Sequence, residues 1–136
     1  MVKLVSIYAS YDYDTLYKLL KERTKNQNIS HREMPTFDEH VTFVDSRPYL
    51  GWYYIMEGPV KVGAIYLTCK EEIGIFIFKT HKRKGYGSLA LRELMYGWPG
   101  TRKLYANINP KNEASIEFFK KKGFKHLSST YVLNRR

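Results

Sequence analysis

The sequence has one cysteine and no long apolar run, and these absences narrow the class of protein. Cys69 is the single cysteine among 136 residues, which excludes an internal disulfide and a CxxC zinc site, so we expect no bound metal. No apolar run approaches the roughly 18 residues that a membrane helix needs. The first residues lack the apolar stretch and small-residue cleavage site of a signal peptide. We therefore expect a soluble, cytoplasmic protein without a membrane partner.

Acidic residues are also few. The chain has 13 Asp and Glu residues against 23 Lys and Arg, for a net charge of +10. Such a charge attracts phosphate groups of any kind, whether they belong to nucleic acid, an anionic membrane or a small phosphorylated cofactor. The apolar content of 43% and aromatic content of 15% exclude a disordered chain. No linker or low-complexity stretch divides the sequence, so we expect residues 1–136 to form a single domain.

The spacing of apolar residues predicts an α/β protein. Strands are expected at residues 2–8, 52–56, 60–69, 72–78 and 102–108, with one or two closing strands in 124–133. Helices are expected after Asp12, after a capping box of Thr36 and Glu39, after a glycine-containing loop at 82–88, and after Asn112. The element order predicts a mixed, mostly antiparallel sheet of six or seven strands with helices on both faces. Strand 72–78 is apolar at nearly every residue, so we expect it to be covered on both faces.

The loop between the apolar strand and the third helix is basic and rich in glycine. It consists of Lys82, Arg83, Lys84, Gly85, Tyr86, Gly87 and Ser88. Its glycines permit positive φ and close backbone approach. The free N–H groups of the first helical turn, together with the helix dipole, favour a bound pyrophosphate. The loop lacks the GK[ST] of a P-loop and the third glycine of a Rossmann fingerprint. Taken alone, it is also compatible with an ordinary turn that has a solvated basic face.

A second block follows after one helix and one strand. It consists of Asn112, Ser115, Phe119, Gly123 and Phe124. Together the two blocks resemble the GNAT acetyltransferases, whose first block is [Q/R]xxGx[G/A] and whose second is often NxxSxxxYxxxGF. The resemblance implies the GNAT fold, with about four helices and a sheet that splays between its fourth and fifth strands. It also implies transfer of an acetyl group from acetyl-CoA to a primary amine by direct attack.

The resemblance also implies which residues bind the cofactor. The pantetheine arm would pair with the backbone of the fourth strand, at Ile75, Phe76 and Ile77. The pyrophosphate would lie on the loop from Lys82 to Ser88, and Asn107 and Asn112 would lie near the arm. Phe119 occupies the position at which many members have a tyrosine that protonates the leaving thiolate. Because phenylalanine cannot donate a proton, either Tyr131, Tyr105 or water acts as the acid, or the enzyme needs no acid, since a thiolate is a tolerable leaving group.

Four further residues are candidates for catalysis or for acceptor binding. An attacking amine must be neutral, so a base is needed, and Glu72 at the start of the fourth strand is the first candidate. Its alternative role is that of a solvated residue at a strand start. His31 is a second candidate base and a candidate substrate contact. His40 and Tyr54 are candidate substrate contacts, with a place in the core as the alternative for both.

The acceptor is expected to be a small amine, for example an amino-sugar nucleotide. The alternatives are an acetyltransferase that acts on a protein or on aminoacyl-tRNA, and a basic nucleic-acid-binding or CoA-sensing module without catalysis. A nucleic-acid partner is not favoured, because part of the positive charge lies beside the expected cofactor site. We expect a monomer or a homodimer.

Overall fold

The computed structural model describes residues 1–23, 34–98, 100 and 103–135. Within these residues it contains five strands and four α-helices. In chain order they are β1 (Val2–Ser6), α1 (Tyr13–Lys21), α2 (Phe37–Asp45), β2 (Gly51–Glu57), β3 (Val60–Leu67), β4 (Glu72–Ile77), α3 (Tyr86–Gly97), β5 (Tyr105–Ala106) and α4 (Glu113–Lys121). Short 3-10 turns follow β1 at Ile7–Ala9 and β4 at Lys79–His81.

The caps predicted for α1, α2 and α4 are confirmed. The Asp12 carboxylate accepts a hydrogen bond from the backbone N–H of Thr15 at 3.2 Å. Thr36 and Glu39 form the full capping box, with reciprocal hydrogen bonds of 2.8 and 3.1 Å. Asn112 caps α4 through the N–H of Ser115 at 3.2 Å. Each side chain satisfies N–H groups that have no partner within the helix, which fixes where the helix begins.

The sheet has the strand order β1-β2-β3-β4-β5. The first four strands pair antiparallel with their neighbours, and β5 pairs parallel with β4, so the predicted mixed, mostly antiparallel sheet is confirmed. The predicted count of six or seven strands is wrong, because the described residues form five. Residues 124–133 contain no strand, and of the residues predicted at 102–108, of which 103–108 are described, β5 covers Tyr105 and Ala106. So short a strand offers little edge on which a closing strand could pair.

Two apolar clusters cover the two faces of the sheet. On one face α3 and α4 pack over a cluster that includes Ile65, Leu67, Leu91 and Leu94. On the other face α1 and α2 cover a second cluster. Ile73 of β4 belongs to the first cluster, whereas Phe76 packs against the second. β4 is therefore covered on both faces, as its sequence predicts. Within the described residues, no helix combines the length and the apolar character needed to span a membrane.

Candidate active site

β4 and β5 separate soon after they meet. Their pairing consists of Glu72↔Tyr105 and Ile73↔Ala106 and does not continue further. Beyond this point lies a cavity of about 100 Å³, which we call the cleft. Of the residues predicted for the site, the cleft is lined by Glu72, Ile75, Phe76, Asn107, Asn112 and Phe119. The fold thus brings together residues from β4, from the chain after β5 and from α4.

The hydrogen bonds of β4 show which backbone groups face the open side. The N–H of Phe78 donates to the carbonyl of Val62 at 2.9 Å, and the carbonyl of Glu72 accepts from the N–H of Thr68 at 2.8 Å. Because the direction of the backbone N–H and C=O groups alternates along a strand, these groups of Gly74 and Phe76 also point toward β3. The N–H and C=O groups of Ile75 and Ile77 point the other way, past the end of the β4–β5 pairing. Two of the three predicted backbone contacts therefore face the open side, and the backbone of Phe76 does not.

The basic loop leads into an α-helix whose N-terminus has no side-chain cap. Arg83 and Gly85 have positive φ values of 64° and 82°, and Gly85 is the N-cap of α3. The first N–H groups of α3 therefore have neither a helical carbonyl nor a capping side chain as partner. A Cβ at Gly87 would lie 3.4 Å from the Phe118 ring and 3.9 Å from Ile75, so the helix begins directly against α4 and β4. Lys82, Arg83 and Lys84 are exposed around this N-terminus.

Glu72 is held at the cleft by two side chains. Its Oε2 atom accepts a hydrogen bond from Nδ2 of Asn107 at 2.5 Å. Its Oε1 atom accepts a longer hydrogen bond from Oγ1 of Thr68 at 3.4 Å. The carboxylate is half-buried and lines the cleft. Both of its oxygens are thus oriented, as a positioned proton acceptor requires.

Phe119 is an apolar wall of the cleft. Its side chain is 8% exposed and packs edge-on against Phe118 and Phe124, with ring centroids 5.1 and 5.0 Å away. Tyr131, by contrast, is 92% exposed and does not line the cleft. The structure thus does not bring the predicted acid to the site. Tyr105 borders a separate open groove beside α3. His31 lies outside the described residues.

His40 and Tyr54 lie in the core rather than in the cleft. His40 is 4% exposed and has its ring 5.3 Å from that of Tyr17. Burial lowers the pKa of His40. Tyr54 is fully buried, and its hydroxyl donates to the backbone carbonyl of Asp12 at 2.9 Å. Neither side chain lines the cleft, and both occupy the place in the core that was their alternative role.

The cleft also contains residues that the sequence did not single out as site residues. Those with polar side chains are Arg23, Tyr66, Thr68, Asn109 and Ser115, of which Ser115 belongs to the second motif block. The guanidinium of Arg23 lies 4.1 Å from the ring centroid of Phe76. Burial lowers the pKa of Arg23 and raises that of Tyr66. Arg23 belongs to the polar run that ends α1, and nothing in that run indicates a contact with a strand far along the chain.

Comparison with protein families identifies the class of protein. The chain matches the family described as "Acetyltransferase (GNAT) domain" over residues 4–125, so the fold is that of an acetyltransferase domain. Since the match covers most of the chain, the protein belongs to the GNAT acetyltransferase family. No curated protein matches the chain in a sequence search.

Solved structures share the fold. An acetyltransferase from Thermus thermophilus is 24% identical, with a TM-score of 0.70 over 93% of this chain and 88% of that one. An N-acetyltransferase from Staphylococcus aureus is 21% identical, with a TM-score of 0.74 over 94% and 84% of the two chains. The aminoglycoside N-acetyltransferase AAC(6')-Iy, solved with CoA, is 14% identical, with a TM-score of 0.71 over 100% and 94%. At these identities the likeness concerns the fold.

Proposed function

We propose that the protein is an acetyl-CoA-dependent N-acetyltransferase that acts on a primary amine. The observation that carries the proposal is that one cleft contains both an open edge of β4 and an oriented carboxylate. The N–H of Ile75 faces the open side, and Glu72 lines the same cavity three residues earlier on the strand. Polarisation of a thioester carbonyl needs the first group, and removal of a proton from the amine needs the second.

The residues that are present fit acetyl-CoA. The open backbone groups of Ile75 and Ile77 can pair with the amides of an extended pantetheine arm, as another strand would. The uncapped N-terminus of α3, with Gly85 in the left-handed conformation, fits a pyrophosphate. A Cβ at Gly85 would meet no atom within 4 Å, so this face of the loop is open. Acetyl-CoA supplies an activated acetyl thioester when bound.

Glu72 is the base in this proposal. The hydrogen bonds from Asn107 and Thr68 hold its carboxylate at the cleft. An acceptor ammonium that enters the cleft can pass a proton to it, directly or through water, and then attack as a neutral amine. A matching acid is not required at Phe119, because a thiol has a pKa near 8.5 and its thiolate leaves readily. The nitrogen loses a second proton as the amide forms, and water in the cleft can carry that proton to the thiolate.

The acceptor is a small amine in this proposal, and an amino-sugar nucleotide is one candidate. A likeness of fold to an aminoglycoside acetyltransferase supports a small-molecule acceptor. Titration calorimetry with acetyl-CoA and CoA tests the cofactor, and thiol release in the presence of a panel of amines tests the transfer. The proposal would be refuted if neither acetyl-CoA nor CoA binds to the protein. If the protein binds the cofactor but no amine in the panel causes thiol release, a CoA-sensing protein would be favoured.

A further inference from the structure

Arg23 is a half-buried cation with no anionic partner among the described residues. The ion pairs in this part of the chain join the N-terminus to Glu57 and Lys61 to Asp12. The Nε atom of Arg23 is buried and has no hydrogen-bond acceptor among the described residues. A buried charge or N–H donor without a partner is costly. An anion in the cleft would remove this cost.

The position of Arg23 is fixed from both sides. The backbone N–H of Arg23 donates to the carbonyl of Leu20 at 3.2 Å, and this hydrogen bond closes the end of α1. The preceding residue, Glu22, accepts a hydrogen bond from the N–H of Lys79 at 2.8 Å. This bond ties the end of α1 to the chain just after β4. The guanidinium then lies over Phe76 of β4, where it lines the cleft.

Two opposite charges therefore lie in one small cavity, since Arg23 and Glu72 both line it. A carboxylate beside the site of attack suits the ammonium of the acceptor. A guanidinium has a planar set of donors that matches the oxygens of a carboxylate or a phosphate. Tyr66 lines the cavity and stacks on Tyr49 at a centroid distance of 4.1 Å, which adds a rigid wall on the same side.

We propose that Arg23 binds an anionic group of the acceptor, so that the preferred acceptor is a small primary amine that carries a carboxylate or a phosphate. This inference rests on the proposed function, since it assigns the substrate class of the same cleft. Arg23 thereby determines specificity, whereas Glu72 accepts the proton.

Matched pairs of amines test the assignment. Alanine is compared with alaninamide, and glucosamine 6-phosphate with glucosamine, by thiol release at saturating acetyl-CoA. The first pair reports on a carboxylate and the second on a phosphate. We expect the wild type to prefer the anionic member of at least one pair by about 10-fold or more in kcat/KM, since hydrogen bonds to charged groups are stronger than those to neutral groups. In Arg23→Met this preference is expected to disappear because the KM for the anionic amines rises, whereas the kinetic constants for the neutral amines change little.

Arg47→Met is the matched control. The Arg47 guanidinium also lies 4.1 Å from an aromatic centroid, that of Tyr8, but it donates to the Tyr11 hydroxyl and lies outside the cleft. We expect this variant to keep the anion preference. The inference is overturned if the wild type shows no preference in either pair, or if Arg23→Met lowers kcat/KM equally for charged and neutral amines.

Failure of the proposed function is a separate outcome. If no amine is turned over, titration calorimetry of the CoA-saturated protein with the same four amines tests Arg23 alone. Anion-selective binding that Arg23→Met abolishes supports the assignment, whereas binding of the charged and neutral members with equal affinity overturns it. Failure to bind any of the four amines also overturns it. Retention of acetyl-CoA affinity in Arg23→Met shows that the variant is folded.

Discussion

Asp12 joins three elements of the fold, and its ionisation makes a measurable contribution to stability. It caps α1, its backbone carbonyl accepts the hydroxyl of Tyr54 from β2, and its Oδ2 accepts Lys61 of β3 at 2.7 Å. Burial alone would raise the pKa of Asp12, but the hydrogen bonds from Lys61 and Thr15 lower it from 3.8 to about 2. We predict that Asp12→Asn removes a pH-dependent part of the stability.

The magnitude follows from the two pKa values. The difference between 3.8 and about 2 corresponds to about 2.4 kcal/mol of stability at neutral pH, at about 1.36 kcal/mol per pKa unit. The side chains of Lys61 and Asp12 are 26% and 30% exposed, so solvent screens the pair only in part. Because the folded-state pKa is the lower one, this stability is present above the unfolded-state pKa and is lost as the pH falls toward 2. About 1.1 kcal/mol of it is lost between pH 7 and pH 3.

Urea denaturation at pH 7 and at pH 3 measures this loss. Asparagine is also a good N-cap, so Asp12→Asn keeps the cap while it removes the titrating charge. We expect the wild type to lose about 1.1 kcal/mol more than the variant between the two pH values, since the contributions of all other carboxylates cancel in the comparison. In Lys61→Met the loss is expected to be smaller than in the wild type. An equal loss in the wild type and in Asp12→Asn would refute the reasoning.

Three further substitutions test the cleft by thiol release and calorimetry. Glu72→Gln is expected to lower kcat by about 100- to 10,000-fold with an unchanged KM for acetyl-CoA; a wild-type pH–rate profile in this variant would exclude Glu72 as the base. Gly87→Trp is expected to abolish CoA binding, because the indole ring fills the space at the start of α3. Gly87→Ala is expected to keep CoA binding, since its Cβ would lie 3.4 Å from the Phe118 ring. Equal CoA affinities in the two variants would contradict this. Tyr131→Phe is expected to leave kcat unchanged, because the side chain is 92% exposed and outside the cleft; a large fall in kcat would restore Tyr131 as a candidate acid.

The parts of the fold that local chemistry determines could be predicted from the sequence. The beginnings of α1, α2 and α4 depend on caps within a few residues of each helix, and all three caps form as predicted. The glycine at the start of α3 has the expected positive φ. The prediction of closing strands in 124–133 is wrong for a non-local reason. A strand needs a partner edge, and the two-residue length of β5 cannot be read from the composition of 102–108.

The site was predictable only where a motif or a single strand carried it. Glu72, Asn107 and Asn112 line the cleft, and their roles there remain predictions. Phe76 shows the limit of such reasoning, because the neighbour that its backbone faces depends on the register between β3 and β4. Arg23 shows another limit. It reaches β4 only because α1 folds across the sheet, and no pattern of nearby residues reports that contact.

The two residue pairs between β4 and β5 also determine how the domain opens locally. Among the described residues this ladder consists of Glu72↔Tyr105 and Ile73↔Ala106, whereas β2 and β3 form seven such pairs with one bulge. We therefore expect β5 to separate from β4 at a lower free energy than global unfolding requires, and its amide protons to exchange with solvent earlier than those of β2. A ligand laid along the open edge of β4 bridges this seam. At a concentration about 100 times its Kd, such a ligand would stabilise the closed form by about 2.7 kcal/mol, so we expect saturating CoA to slow the exchange of the β5 amide protons.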